Sequence, residues 1–378
     1  MATDALNSSR ASAGVAQVLD GLEYARARTF ALVAHLDDEQ LERVHSPIMS
    51  PLVWDLGHIA AYEDLWLAHR LGGLELMRPD LAALYDAFET PRAVRGDIET
   101  LGPAQARDYL AAVRARTAQA LAEHGVDDGV VCEMVIRHEL QHGETMRQTL
   151  ALTGLLGESD AGASDRPLEH AGTDQWLDVA AGAFTMGASA EGFAYDNERP
   201  QHEVETGAFQ IACAPASNAD FVRFAEQGGY ERRELWSHAG WRWLGEQAQP
   251  LDPAVATGHP QAVACHVSCF EAEAFAAAHD ARLPSEAEWE QAATMQGSSL
   301  GGVGRAWEWT ASSFDGYPGF VAHPYREYSE VFFGEDYRVL RGSSWATDER
   351  VANRRFRNWD LPQRRQIFAG VRLARDAR

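Results

Sequence analysis

Across residues 12–155, apolar side chains recur at spacings of three and four. The runs VAQVLDGLEYARARTFALVAHL and ARDYLAAVRARTAQALAEHG show this most clearly. That period puts one apolar stripe along a helix. The pattern predicts helices near 12–36, 49–71, 103–125 and 127–153, enough amphipathic faces for a four-helix bundle. From residue 176 the grammar changes. Short apolar segments such as WLDVAAGAFTMGAS and HEVETGAFQIA are cut by Gly, Pro and Asn. Only FEAEAFAAAHD (270–280) and SEAEWEQAATM (285–295) read as regular helices. The stretch between the halves, LGESDAGASDRPLEHAGTD, is small, polar and glycine-bearing, as a connector would be. The expected organisation is a two-domain α+β protein: a helical bundle over 1–155, a linker over 156–175 and an irregular α+β domain over 176–378.

Composition narrows the function. The chain has 378 residues, 46% of them hydrophobic, and a formal net charge of −23. So acidic a chain lacks the basic face that nucleic acid requires. No apolar run is long enough to span a bilayer, so no membrane association is expected. The four cysteines, Cys132, Cys213, Cys265 and Cys269, are too few and scattered for a disulfide scaffold. Reduced thiols and a polar N-terminus fit a cytoplasmic protein.

The fourth predicted helix carries IRHELQHGE. His138 and His142 stand four residues apart, on one helix face, where both imidazoles can share an ion. Imidazole suits iron, zinc, copper or nickel alike. HELQH also fits the H-E-x-x-H zinc-protease signature, with Glu139 as general base, although no downstream third ligand is visible. In the second predicted helix, SPLVWDLGHIAAYEDLWLAH holds His58 after Gly57. In a bundle His58 could complete a set of three neutral ligands. Three histidines leave open positions for dioxygen and a substrate, the open-face logic of non-haem iron oxygenases.

These residues carry a family likeness. The first half, with Trp54-x3-His58 and His138-Glu139-x-Gln141-His142, resembles a DinB-like bundle. The second half resembles the formylglycine-generating-enzyme (sulfatase-modifying, C-type-lectin-like) fold. The segments that carry it are GAFTMG (182–187), RLPSEAEWEQAA (282–293), AWEWTASSF (306–314), VLRGSSWAT (339–347) and RNWDLPQRRQIFAGVRLAR (357–375). The combination is similar to the ergothioneine sulfoxide synthases and their relatives, the selenoneine synthases. That resemblance implies an oxidoreductase using Fe(2+) and dioxygen to join sulfur or selenium to the imidazole of hercynine, a trimethylated histidine. It implies His58, His138 and His142 as iron ligands. Gln141, Tyr317, Asn358 and Trp359 would meet hercynine, whose cationic ammonium favours aromatic faces. Asp360 and Arg364, with Arg95 (or Arg92) of the ETPRAVRGD loop, would hold the donor.

One departure from the family pattern stands out. Where its best-known members place a proton-donating tyrosine, four residues after the W-E-W-T threonine, this chain has Phe314, which has no hydroxyl. A selenosugar donor, more easily oxidised and free of amino-acid carboxylates, would fit that change. The expectation is therefore selenoneine synthesis. Ergothioneine-type sulfoxide synthesis with cysteine or glutamyl-cysteine is the alternative, and thiol dioxygenation a third reading. A non-catalytic binding module and a zinc hydrolase remain outside this family reading. Formylglycine generation itself is disfavoured, because no cysteine follows Cys269.

Overall fold

The computed structural model describes residues 2–127, 129–168 and 173–377, with side chains from Gly14 onward except at position 298. The chain divides into two compact units between Ser159 and Asp160.

The helical unit contains α1 (Ala2–Val33), α2 (Asp38–Glu42), α3 (Leu52–Glu63), α4 (Pro103–His124) and α5 (Val130–Thr153). The helix expected over 49–71 changes pitch part-way: α3 passes at Asp64 into a π-helical stretch, Asp64–Leu71. Local sequence explains the ends. Pro103 opens α4, where its missing N–H costs nothing. Gly125 and Gly154, both at positive φ, close α4 and α5. The apolar stripes of α3, α4 and α5 meet in a core that includes Trp54, Leu56, Ile59, Leu110, Val113, Met146 and Leu150.

Buried charge crosses this core. Arg26 of α1 donates at 2.8 Å to both Glu63 of α3 and Glu139 of α5. Arg114 of α4 adds a 2.8 Å bond to Glu63. Four helices are thereby tied in register by groups that lose a great deal if any one partner is removed.

Among its described residues the α+β unit has nine short strands. They are β1 (Trp176–Val179), β2 (Gly182–Met186), β3 (His202–Thr206), β4 (Phe209–Ala212), β5 (Trp307–Phe314), β6 (Gly334–Arg341), β7 (Asn358–Asp360), β8 (Ala369–Gly370) and β9 (Ala374–Asp376). They form three small sheets, ordered β1-β4-β9, β2-β3 and β7-β6-β5-β8. Between them run the helices α6 (Asn218–Glu226), α7 (His238–Leu244), α8 (Pro253–Thr257), α9 (Cys269–Ala278) and α10 (Glu286–Met295). Ser268 and Ser285 start α9 and α10 through capping boxes with Glu271 and Glu288. The register between β5 and β6 shifts twice, between Trp309 and Ser313 and again at Phe314. Such bulges bend a strand and re-aim its last side chains.

The segment expected as a linker is structured at its far end. Pro167 bridges Ala262, and the Leu168 amide donates to the Gln261 carbonyl. The backbone groups there find partners in the α+β unit, so the stretch behaves as part of it.

Candidate metal centre

Three histidines converge inside the helical unit. His58 comes from α3, His138 and His142 from α5, and one nitrogen of each lies within 4.8 Å of the others. The Nε2 atoms of His58 and His138 are 3.1 Å apart. Two imidazole nitrogens at that distance need a proton or a cation between them. Two nitrogens bound side by side to one ion, each about 2.1 Å from it, would also stand about 3 Å apart. The donor set thus fits a divalent transition-metal ion held by three neutral imidazoles.

Hydrogen bonds fix which nitrogen is free. The His58 Nδ1 lies 2.6 Å from the Tyr85 carbonyl oxygen, which can only accept, so Nδ1 carries the proton and Nε2 presents its lone pair. His142 Nδ1 lies 3.1 Å from the Asp55 carboxylate, with the same consequence. Gly57 makes the first contact possible. A Cβ at that position would come within 2.2 Å of the Tyr85 ring, which is itself buried.

Ring stacking holds the imidazoles flat. Trp54 stacks on His58 at 4.8 Å, and Tyr62 stacks on His138 at 3.6 Å. Burial pushes the His58 and His138 imidazoles well below the usual histidine range, helped by the neighbouring histidines. Neutral imidazole is the form that binds metal.

Glu139 faces away from the three histidines. Its carboxylate is taken by Arg26 and lies near Arg114, so the general base of an H-E-x-x-H protease is missing here. Arg95 is also occupied. Its guanidinium donates to the Thr90 and Ala87 carbonyls and to the Ser50 hydroxyl, and it lies 3.6 Å from the Trp54 ring centre. With 5% of its surface exposed, it serves the local fold rather than displaying a free charge for a donor. Gln141 is half-buried beside His142 on α5.

In the α+β unit, the anticipated substrate residues gather around the bulged end of β5. Phe314 is fully buried and stacks on Trp359 at 4.1 Å. Trp359 sits in β7 between Asn358 and Asp360, opposite Val339 of β6. Asp360 and Arg364 approach to 3.7 Å. Tyr317 is buried, with no hydrogen-bond partner on its hydroxyl, and burial raises its phenol.

Arg357 joins the two aromatics. It lies 5.1 Å from the Phe314 ring centre and 4.2 Å from that of Tyr317, and Glu286 grips it in a fork of 2.8 and 2.9 Å bonds. Sequence reasoning gave Arg357 no role. Its position next to Asn358, opening the RNWD segment, was the available signal. It also missed Asp55, although Asp55-x2-His58 puts both on one side of α3. Tyr85 contributes through its backbone, for which no sequence signal exists.

Comparison with known proteins follows this architecture. Residues 22–146 match the DinB superfamily, and residues 164–302 and 300–377 match the sulfatase-modifying factor enzyme 1-like domain. The hercynine oxygenase of Mycobacterium tuberculosis is 42% identical over 94% of this chain and 97% of that protein. The chain belongs to the hercynine oxygenase family. The hercynine oxygenase of Mycolicibacterium thermoresistibile is 40% identical over 93% of both chains. The ergothioneine biosynthesis protein 1 of Neurospora crassa shares 36% identity over a shorter stretch, 22% of this chain and 10% of that protein. As a member of this family the chain is an oxidative enzyme. Among its described residues, no helix is long and apolar enough to cross a membrane.

Proposed function

We propose that this chain is an iron(II)- and dioxygen-dependent hercynine oxygenase of the ergothioneine type, forming a C–S bond between hercynine and a thiol. The three-histidine cluster, with one nitrogen of each within 4.8 Å of the others, is the observation that carries this reading. The names of the similar proteins, hercynine oxygenase and ergothioneine biosynthesis protein, support sulfur over selenium as the donor atom. The selenosugar expectation therefore yields its place to the sulfur alternative.

The overall balance is simple. Thiol, hercynine and dioxygen give the sulfoxide and one water. The S–H and C–H hydrogens leave in the water, carbon and sulfur are oxidised, and dioxygen takes up four electrons. A bound iron(II) ion would supply the electrons that start dioxygen reduction and the coordination positions that bring the reactants together. The protein's own contribution is positioning. His58, His138 and His142 would hold the ion, with Nε2 of His58 and His142 freed by Tyr85 and Asp55. Gln141 is assigned to the hercynine imidazole. Tyr317, Asn358 and Trp359 are assigned to hercynine recognition, and Asp360 and Arg364 to the donor.

Phe314 supports a second reading. A buried ring stacked on Trp359 offers no proton at the position where the family's best-known members have one, which favours a more easily oxidised selenosugar. One experiment separates the readings. Iron-loaded full-length protein is incubated in air with hercynine and, in turn, cysteine, glutamyl-cysteine and a selenosugar, and the products are weighed by mass spectrometry. A sulfoxide adduct with a thiol is expected. A C–Se adduct alone selects the second reading, and a sulfinate with hercynine untouched overturns both.

A further inference from the structure

The outer partners of the three histidines differ. His58 bonds to a backbone carbonyl and His138 packs under Tyr62, whereas His142 meets a carboxylate. Asp55 is 1% exposed, and its second oxygen, Oδ2, is buried with no hydrogen-bond partner. A buried carboxylate left half-satisfied is expensive. Its Oδ1 is 3.1 Å from His142 Nδ1. Asp55 sits three residues before His58, so α3 presents both a ligand and, one turn earlier, the partner of a ligand on α5. Arg95 lies 3.6 Å from the centre of Trp54, the ring that stacks on His58, and the Asp55 carboxylate favours its charged form.

We infer that Asp55 is a positioning residue for the metal centre: it holds His142 in the Nδ1–H tautomer, aims Nε2 at the ion, and supplies the outer negative charge of the site. The reason is chemical. A carboxylate only accepts, so it admits one tautomer of His142. It also stabilises positive charge that a bound ion induces on the imidazole, which strengthens the ligand. An amide at position 55 would offer an N–H in one orientation, and that orientation favours the tautomer whose Nε2–H blocks coordination. A neutral amide also lacks the charge in either orientation.

The inference rests on the three histidines being a metal site, so its test needs no turnover. Full-length apo protein, wild type and Asp55→Asn and Asp55→Ala variants, is titrated with Co(II) against a chelator. Histidine tautomers are read separately from side-chain 15N shifts. Outer partners of this kind change metal affinity by about 10–100-fold. Wild type should show His142 protonated at Nδ1. Both variants should bind Co(II) about 10–100-fold more weakly, with shifted visible bands and a His142 population protonated at Nε2.

Equal Co(II) affinity in wild type and Asp55→Asn overturns the inference. An Nε2–H His142 in wild type also overturns it, even if neither variant folds. Wild type that binds no Co(II) overturns the metal-site reading itself, and this inference with it.

Discussion

The two units keep their chemistry in different kinds of places. In the helical unit, three candidate ligands lie on two helices, and a four-residue step sets His138 and His142 on one face. In the α+β unit, the anticipated substrate residues sit on a bulged strand end, a three-residue strand and the loops beside them. Both units are braced by buried Arg–Glu contacts. Arg26 and Arg114 hold Glu63 and Glu139 in one. In the other, Arg357 grips Glu286 and Arg372 grips Glu308. The helical unit places its site by periodicity. The α+β unit places its residues by irregularity, pinned by ion pairs, which is why one is easier to read from sequence.

This contrast is open to direct attack. The largest effect is expected from His138→Ala, which should abolish stoichiometric metal binding while helix content by circular dichroism stays near wild type. Retained metal would mean the helix face is not the site. Next is Glu139→Gln, which leaves Arg26 buried with a weakened partner. Breaking a buried ion pair costs about 3–5 kcal/mol, so the denaturation midpoint should fall sharply, while the histidines still bind metal. Intact stability with lost turnover would instead revive Glu139 as a general base. Arg357→Met should cost a similar or slightly smaller amount, read by chemical denaturation and by the near-ultraviolet signal of the aromatics around Trp359.

Gly57→Ala follows, at about 1–3 kcal/mol for forcing a methyl group into a packed site. It should also weaken metal binding, because the Tyr85 carbonyl that orients His58 moves with its ring. The last effect is graded with pH rather than set by one substitution. His58 and His138 are held well below their ordinary value by burial, so the unfolded chain binds their protons first. Metal-free protein should keep full stability above about pH 6.5 and lose it below, by up to about 1.4 kcal/mol per pH unit for each histidine. A flat stability profile from pH 7 to 5 would show that these two imidazoles are not desolvated.

Much of this was legible in the residues. The apolar spacing located α3, α4 and α5 to within a few residues, because amphipathic stripes must face a core. His138 and His142 were visible as a pair for the same reason, whereas His58 needed the bundle or the family likeness of Trp54-x3-His58, since its own spacing marks no ligand. The π-helical stretch after Glu63 left no period to detect. Glu139 illustrates the limit of a motif. Its spacing matches a protease signature, but one residue along a helix turns a side chain by about 100°, here toward Arg26. Arg95 shows the same limit for a loop, where sequence reveals a charge but not the carbonyls that consume it. In the α+β unit the RLPSEAEWE and RGSSW segments signalled the fold, while the stacking of Phe314 on Trp359 depended on a register shift that composition does not encode.

The central claim is that His58, His138 and His142 hold one ion for oxidative chemistry. Its most direct measurement is metal analysis of anaerobically iron(II)-loaded, desalted wild type beside the three single histidine-to-alanine variants. The account predicts close to one iron per chain in the wild type and a severe loss in each variant. Iron retained at wild-type stoichiometry by any one variant, or absent from the wild type, would contradict it.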